Sequence, residues 1–345
     1  MLTNLDERTI ELIEKEYLIN DLPWSLGYSG GKDSSALLKL TYNAVLNLKN
    51  RNKIITIVYC DTGVEIPILR DFVYKTFDKF KNEILENQLP FKVKIVEPKL
   101  ENRFFSKLIG KGYPPPTNKF RWCTDRLRVM PIQQLQNNNK NENIVLVGIR
   151  QGESKERDKI ISRHNTKNPY YFKQTNFPKV KIFAPIIDYK ISDIWSILKN
   201  NKSPNSINGI ELESIYLDAG TNQIDFKDIS SPSLEKGRFG CWVCTVVRKD
   251  KAVSYLIENG HNKLIPLFNF RNLIYDMRSI EQYRCKWRRN GVKGFGPFTI
   301  EARKLILNEL LKAQIASGYN LIEDKEIDYI KEQWLADQNS LTYKE

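Results

Sequence analysis

The sequence predicts an α/β fold with a doubly wound, mostly parallel sheet and a mainly α-helical C-terminal part. Three observations lead to this prediction. Strand-like apolar runs alternate with segments of helical periodicity through about the first 200 residues. A glycine-rich turn joins the first of these runs to a helix. Beyond about residue 250, helical periodicity continues without strand-like runs.

The predicted elements follow one another in a regular order. An amphipathic helix is predicted over residues 5–19 from its apolar spacing. Apolar and β-branched runs then predict buried parallel strands, with helices between them. The predicted strands are 24–28, 53–59, 91–96, 143–150 and 181–187, and the predicted helices between and after them include 34–40, 66–86 and 192–198.

Changes in composition divide the chain into three predicted parts. Residues 1–199 form a first domain of alternating strands and helices. Residues 200–240 are rich in Asn, Ser, Pro and Gly, which predicts a loop-rich linker or lid. Residues 241–345 form a helical C-terminal domain with helices at 252–259, 264–277 and 299–317.

Composition limits the classes of protein to consider. The chain has 345 residues, 41% of them hydrophobic and 28% charged, as in a soluble globular protein. No apolar run is long enough to span a bilayer and no secretory start is recognised, so we expect a cytoplasmic protein without membrane association. The net charge of +13 favours a polyanionic partner. Five cysteines, an odd number, favour metal or redox chemistry over a disulfide framework.

The turn after the first strand predicts a phosphate site. Two adjacent glycines let the backbone close around a polyanion, a lysine adds a mobile charge, and serine hydroxyls add donors. The helix start that follows adds free backbone N–H groups. The spacing is not that of a Walker A motif. The residues are Ser29, Gly30, Gly31, Lys32, Asp33 and Ser34.

Polar residues after two other strands are predicted to lie beside this turn, because ligands bind beyond the carboxyl ends of parallel strands. Asp61 follows the second strand, and Gly148 and Arg150 end the fourth. Arg150 and Arg157 suit phosphate oxygens. Asp33 and Asp61 are candidates for contacts with Mg²⁺ or ribose.

The cysteines suggest a second site. Cys241 and Cys244 form a Cys-x-x-Cys motif, which binds a metal or cluster or acts as a redox pair. Cys123 and Cys285 are candidates for the other two ligands of a [4Fe–4S] cluster or zinc ion. Cys60, at a strand end, is the substitute if Cys285 lies too far away.

Two basic runs, residues 119–128 and 284–293, each interleave Arg and Lys with a tryptophan. Such segments bind phosphates and stack on bases. Because each run also contains a candidate cysteine ligand, we expect nucleic acid to bind next to the sulfur chemistry.

Taken together, these residues resemble the adenine nucleotide α-hydrolase superfamily, in its branch with phosphoadenosine phosphosulfate reductase. Within that branch the chain looks like the DNA phosphorothioation sulfurtransferases of the DndC and SspD types. The motifs of likeness lie at residues 29–34, 61–63, 121–125, 148–157, 240–247 and 288–291.

The resemblance implies a PP-loop that binds ATP and Mg²⁺ and releases pyrophosphate. It further implies ATP-driven replacement of a non-bridging phosphate oxygen of DNA by sulfur. A cysteine desulfurase as sulfur donor, other proteins of the phosphorothioation system and a [4Fe–4S] cluster are implied with it.

Three alternatives stay open at this point. A tRNA thiolation enzyme would activate a base carbonyl instead, although such enzymes usually pair two Cys-x-x-Cys motifs and this sequence has one. A sulfonucleotide reductase-like enzyme is disfavoured by the complete loop and by the lack of cysteine in residues 341–345. A nucleotide-sensing protein that recruits partners to DNA would turn ATP over weakly.

Overall fold

The computed structural model of the protein describes residues 3–138, 142–152, 158, 168–173, 179–200, 203–221 and 239–338. The chain divides into two units whose segments alternate along the sequence. The first unit comprises Met1–Cys60, Ile68–Val96 and Gln136–Arg238. The second comprises Asp61–Pro67, Glu97–Leu135 and Phe239–Glu345.

A six-stranded sheet forms the centre of the first unit. Its strands are β1 (Trp24–Tyr28), β2 (Ile55–Cys60), β3 (Phe91–Val96), β4 (Asn143–Leu146), β5 (Tyr171–Lys173) and β6 (Val180–Phe183). The order across the sheet is β3-β2-β1-β4-β6-β5, and every pairing is parallel except that of β5 with β6. The predicted doubly wound, mostly parallel sheet is therefore confirmed. The antiparallel edge strand β5 was not predicted.

The position of β1 explains where a ligand site forms. β1 pairs with β2 on one side and with β4 on the other, so the strand order reverses between β1 and β4. Open α/β sheets bind ligands beyond the carboxyl ends of the strands at such a reversal. The segments that follow Tyr28 and Leu146 both begin at this edge.

Helices accompany this sheet along the chain. They are Asn4–Ile19, Lys32–Asn47, Pro67–Glu86, Ile191–Lys199 and Gly209–Tyr216.

The helix Gly209–Tyr216 corrects part of the loop prediction for residues 200–240. Asn208 caps it by accepting a hydrogen bond from the N–H of Glu211, and Leu212 and Tyr216 are buried. Residues 222–238 of the predicted linker lie outside the described residues.

The second unit is mainly helical, which confirms that prediction for the C-terminal part. Its helices are Trp122–Thr124, Met130–Asn138, Lys251–Glu258, Ile265–Met277, Ile300–Ser317 and Asp324–Gln338. Among the described residues, no helix has the length and apolarity needed to cross a membrane.

The segment Glu97–Leu135, which the sequence analysis placed in the first domain, residues 1–199, contacts a C-terminal helix instead. The backbone N–H and the hydroxyl of Ser106 both donate to Oε1 of Glu326, at 2.9 and 3.1 Å. The indole of Trp334 donates to the carbonyl oxygen of Ile109 at 2.9 Å. These buried bonds fix the segment within the second unit.

Candidate functional site

The turn between β1 and the helix Lys32–Asn47 forms the candidate phosphate site. Gly30 has a φ of +75°, a conformation that glycine adopts without strain. A Cβ at Gly30 would also lie 2.2 Å from Cγ2 of Val73. Gly31 is the N-cap and has no side chain to cap the helix, although the hydroxyl of Tyr216 accepts a hydrogen bond from the N–H of Lys32 at this end.

Serine hydroxyls hold this turn closed. Oγ of Ser34 accepts a hydrogen bond from the N–H of Ser29 at 3.2 Å and donates to the carbonyl oxygen of Gly31 at 3.0 Å. Oγ of Ser29 lies 3.1 Å from Oγ of Ser34 and accepts from the N–H of Gly31 at 3.3 Å. In this structure the two hydroxyls therefore shape the loop itself.

Lys32, Asp33 and Arg150 form a buried charged group. The side chains of Lys32 and Arg150 belong to residues only 3% and 4% exposed. Nε of Arg150 donates to Oδ1 of Asp33 at 2.5 Å, and Nζ of Lys32 lies 3.5 Å from Oδ2. One carboxylate thus stands between two buried cations, and the group keeps a net positive charge that suits phosphate.

A close approach brings the end of β4 to the start of the helix Lys32–Asn47. A Cβ at Gly148 would lie 2.9 Å from both the carbonyl carbon and the carbonyl oxygen of Asp33. Only glycine allows this approach without displacing backbone. It places Arg150, two residues later, where its guanidinium reaches Asp33 and the carbonyl oxygen of Tyr189.

Tyr216 contacts the same loop and was missed by the sequence analysis. Its hydroxyl accepts from the N–H of Lys32 at 3.3 Å, and Nζ of Lys32 lies 5.2 Å from the ring centroid. The composition of the surrounding segment suggested loops. The signal that was available is the spacing of Leu212, Ile215 and Tyr216, which matches one helix face.

The structure brings most of the predicted nucleotide residues to one edge of the sheet. Arg157 lies outside the described residues. Asp61 belongs to the second unit, where its Oδ1 accepts from the N–H of Gly63 at 2.8 Å. The residues brought together are Ser29, Gly30, Gly31, Lys32, Asp33, Ser34, Gly148 and Arg150.

In the second unit, the loop Asp61–Pro67 lies against the Cys-x-x-Cys segment. Cys241 pairs with Glu65 in an isolated antiparallel bridge. The N–H of Trp242 donates to the carbonyl oxygen of Val64 at 3.0 Å. The segment that carries the two thiols is therefore fixed by backbone pairing with a loop far from it in sequence.

Trp242 anchors this segment in the core. It is 2% exposed, and its ring lies 6.1 Å from that of Phe105 and 5.7 Å from that of Phe270. Cys241 and Cys244, on either side, are half-buried residues with free thiols. A tryptophan in this motif thus positions the cysteines and is not available to stack on a base.

Two arginines hold the backbone that follows the motif. Arg271, 1% exposed, donates from Nε to the carbonyl oxygen of Cys244 at 2.9 Å and from Nη2 to that of Val247. Arg278 donates to the carbonyl oxygen of Thr245 at 3.1 Å. These bonds satisfy carbonyl groups whose burial would otherwise be costly.

Cys123, Cys241 and Cys244 interact electrostatically with one another. Burial raises the pKa of Cys241 to about 12, although Arg128 opposes the rise. Burial, and then the proximity of Cys244, raises the pKa of Cys123. Burial also raises the pKa of Glu65 beside them. These raised pKa values favour the protonated thiols of Cys241 and Cys123 at neutral pH.

The predicted set of four cysteine ligands is assembled only in part. Cys285 is 2% exposed and donates its N–H to the carbonyl oxygen of Pro297 at 2.9 Å. Cys60, the substitute, ends β2 in the first unit. Across the described ranges, no three Cys, His, Asp or Glu side chains gather as a metal-binding group. As arranged, these residues do not fit a [4Fe–4S] cluster or a zinc ion.

A comparison with protein families decides the broad assignment. The phosphoadenosine phosphosulfate reductase domain matches residues 23–246, more than half of the chain. The protein is a member of this reductase-domain family. The match includes both the phosphate turn and the Cys-x-x-Cys motif. The predicted likeness to the phosphoadenosine phosphosulfate reductase branch is thereby confirmed, whereas the phosphorothioation type stays a prediction.

A curated relative is the uncharacterized protein MJ0066 of Methanocaldococcus jannaschii. It is 27% identical to this reductase-domain protein over 205 residues. The aligned region covers 59% of this chain and 37% of the relative, so the chain spans little more than a third of that protein.

Solved structures share a more distant likeness. The U34-tRNA thiolase NcsA from Methanococcus maripaludis, with its [4Fe-4S] cluster, is 16% identical with a TM-score of 0.37, covering 61% of this chain and 72% of that one. The Candida glabrata FMN adenylyltransferase is 16% identical with a TM-score of 0.35, covering 56% of each chain. Neither likeness is strong enough to assign a reaction.

The approach at Gly148 generates a first prediction. We expect Gly148→Ala to weaken ATP binding about tenfold. The added methyl group would displace the backbone of Asp33 in the phosphate turn, and overpacking of this kind costs about 1–3 kcal/mol. Calorimetric titration with ATP measures the effect. Gly27→Ala is the control, since its Cβ would meet no atom closer than 3.8 Å. Equal ATP affinity in the two variants would contradict this account.

Arg271 generates a second prediction. We expect Arg271→Met to lower the free energy of unfolding by about 2–4 kcal/mol, because at least two carbonyl oxygens lose a charged donor. Urea denaturation measures this loss, and alkylation of Cys244 should become faster as its loop loosens. Arg248→Met, at an exposed side chain, is the control. A stable variant with unchanged alkylation would show that the loop is held by other contacts.

Proposed function

We propose that this protein is an ATP-dependent sulfurtransferase that activates a backbone phosphate of DNA and replaces one of its non-bridging oxygens with sulfur. One observation carries the proposal. A complete phosphate turn with two buried cations, Lys32 and Arg150, occurs in the same chain as three mutually interacting free thiols. ATP chemistry and sulfur chemistry are the two requirements of this reaction.

The first proposed step is adenylylation. A non-bridging oxygen of the DNA phosphate attacks the α-phosphorus of ATP, the bond from that phosphorus to the α,β-bridging oxygen breaks, and pyrophosphate leaves. The backbone donors of the turn, together with Lys32 and Arg150, stabilise the charge on the leaving group.

Mg²⁺ would supply further positive charge, held chiefly by the phosphates of ATP. Asp33 and Asp61 are the carboxylates predicted for it. In this structure Asp33 faces Arg150 and Lys32, so its main effect is to orient these cations.

The second proposed step is sulfur transfer. The terminal sulfur of a cysteine persulfide attacks the activated DNA phosphorus, and AMP leaves with the original oxygen. A second thiol then attacks the first cysteine sulfur, which forms a disulfide and releases the phosphorothioate. A cysteine desulfurase supplies the persulfide sulfur, and a thiol reductant returns the disulfide to two thiols.

We assign these steps to Cys123, Cys241 and Cys244: the N–H of Cys244 donates to the carbonyl oxygen of Cys241 at 3.0 Å within one turn, and the proximity of Cys244 raises the pKa of Cys123. The steps use thiols alone. The remaining proteins of the phosphorothioation system and a cytoplasmic location stay predictions from the sequence, and the predicted [4Fe–4S] cluster is one that the cysteines as arranged here do not fit.

Adenylylation is tested at Lys32. We expect Lys32→Ala to reduce DNA-dependent pyrophosphate release by about 100-fold, the usual loss when one preorganised donor to a developing charge is removed. The assay combines the protein with ATP, Mg²⁺, DNA and a pyrophosphate-coupled readout. Lys49→Ala removes an exposed lysine just beyond the other end of the same helix and should keep full activity. Unchanged release from Lys32→Ala would refute the first step.

Sulfur transfer is tested at the cysteines. With a desulfurase and cysteine present, we expect Cys244→Ser to abolish phosphorothioate formation while pyrophosphate release continues. Mass analysis of digested DNA measures the product. Cys285→Ala should keep forming it, because Cys285 is not needed by the three-thiol route. If Cys285→Ala folds normally but forms no phosphorothioate, the result would favour the four-cysteine cluster instead. If tRNA is thiolated and DNA is not modified, the result would contradict DNA as the acceptor.

A further inference from the structure

A pocket of about 580 Å³ lies in the second unit around the residues that flank Cys123. This volume is in the range of small-molecule sites. Trp122 forms a fixed wall: it is 5% exposed and its indole donates to the carbonyl oxygen of Pro114 at 2.9 Å. The ring of Tyr113, also in the wall, meets Trp122 edge-on at 5.5 Å. The pocket is therefore built on rigid side chains.

Phe120 contributes an exposed aromatic ring to the same pocket. Its side chain is 46% exposed, although the backbone of Thr117 and Phe120 is paired by two hydrogen bonds of 3.2 and 3.1 Å. A large ring left in water on an ordered turn is available to a ligand. Aromatic rings of this kind stack on nucleic-acid bases.

The polar part of the wall is mainly cationic. Lys119, Arg121 and Arg126 line the pocket together with one carboxylate, Asp125. Among the described residues, none of these three cations forms an ion pair. An arginine without a carboxylate partner in a concave site suits a phosphate.

A buried lysine next to Tyr113 adds to this positive charge. Lys107 is 5% exposed, and its Nζ lies 5.6 Å from the ring centroid of Tyr113. Burial, and then the nearby charges of Lys111 and Arg126, lower the pKa of Lys107 to about 8. Lys107 is thus a buried lysine beside Tyr113 whose surroundings, with Glu101 as the opposing carboxylate, are mainly cationic, which favours a bound anion.

We propose that this pocket binds one nucleotide unit of a single-stranded stretch of the DNA acceptor, with its phosphate on Arg126 and its base on Phe120. The inference rests on the proposed function for the identity of the acceptor. Trp122 and Thr124 line the pocket on either side of Cys123 in sequence. Cys123 itself does not line the pocket, and we place the phosphate to be modified close to it because both of its sequence neighbours do.

The test measures how tightly the full chain binds a fluorescein-labelled single-stranded DNA dodecamer. Fluorescence anisotropy gives the binding constant at salt concentrations between about 50 and about 200 mM. We expect Arg126→Gln to weaken binding about tenfold and to reduce the slope of log K against log salt by about 0.7, the value for one lost phosphate contact. Phe120→Leu should weaken binding about tenfold without changing that slope, because stacking releases no counterion. Lys304→Gln, at an exposed lysine outside the pocket, is the charge-matched control.

Each other outcome overturns the assignment. If both pocket variants bind like the wild type, or if Lys304→Gln weakens binding equally, the pocket is not the binding site. Tighter binding of the RNA dodecamer of the same sequence overturns the choice of DNA. If Arg126→Gln leaves phosphorothioate formation unchanged, the assignment of the pocket is wrong and the proposed function still stands. If DNA binding depends on the pocket but no phosphorothioate forms, the proposed function is wrong and the pocket remains a DNA-binding site.

Discussion

The nucleotide site depends on the close approach of β4 to the first turn of the helix Lys32–Asn47. At Gly148 there is no room for a Cβ, because the backbone of Asp33 would lie 2.9 Å from it. This contact brings Arg150 to Asp33, and Asp33 in turn partners Lys32. Two buried cations are tolerated in one place because they share this carboxylate. Their surplus charge is what a polyphosphate can neutralise.

The sequence predicts those parts of the site that are local in the chain. The turn from Ser29 to Ser34 is recognisable because its glycines, lysine and serines all lie within six residues. Arg150 was found because it ends a strand-like run. The ion pair between Arg150 and Asp33 joins residues 117 positions apart, and no pattern in the sequence predicts such a contact. Tyr216 was missed for the same reason, since its contact with Lys32 crosses 184 positions.

The same limit applies to the fold. Alternating strands and helices predict the parallel sheet, because period and length are local properties. The edge strand Tyr171–Lys173 has three residues, which is too short for any pattern to be recognised. The segment Glu97–Leu135 joins the second unit through contacts such as Ser106 with Glu326, 220 positions away. The predicted division into three consecutive parts therefore differs from the two units of the structure, whose segments alternate along the chain.

The two chemistries proposed for this protein need opposite electrostatic conditions, and the two units provide them separately. Adenylylation develops negative charge on pyrophosphate, and the first unit offers two buried cations at the N-terminus of the helix Lys32–Asn47 to stabilise that charge. Sulfur transfer needs thiols that persist until sulfur arrives. Burial raises the pKa of Cys241 and Cys123, so few thiolates are present at neutral pH to oxidise or react with other electrophiles. A persulfide delivered to such a site already carries a nucleophilic terminal sulfur. Arg128 opposes the rise in the pKa of Cys241, so it is the cation that we expect to stabilise the negative charge of that persulfide.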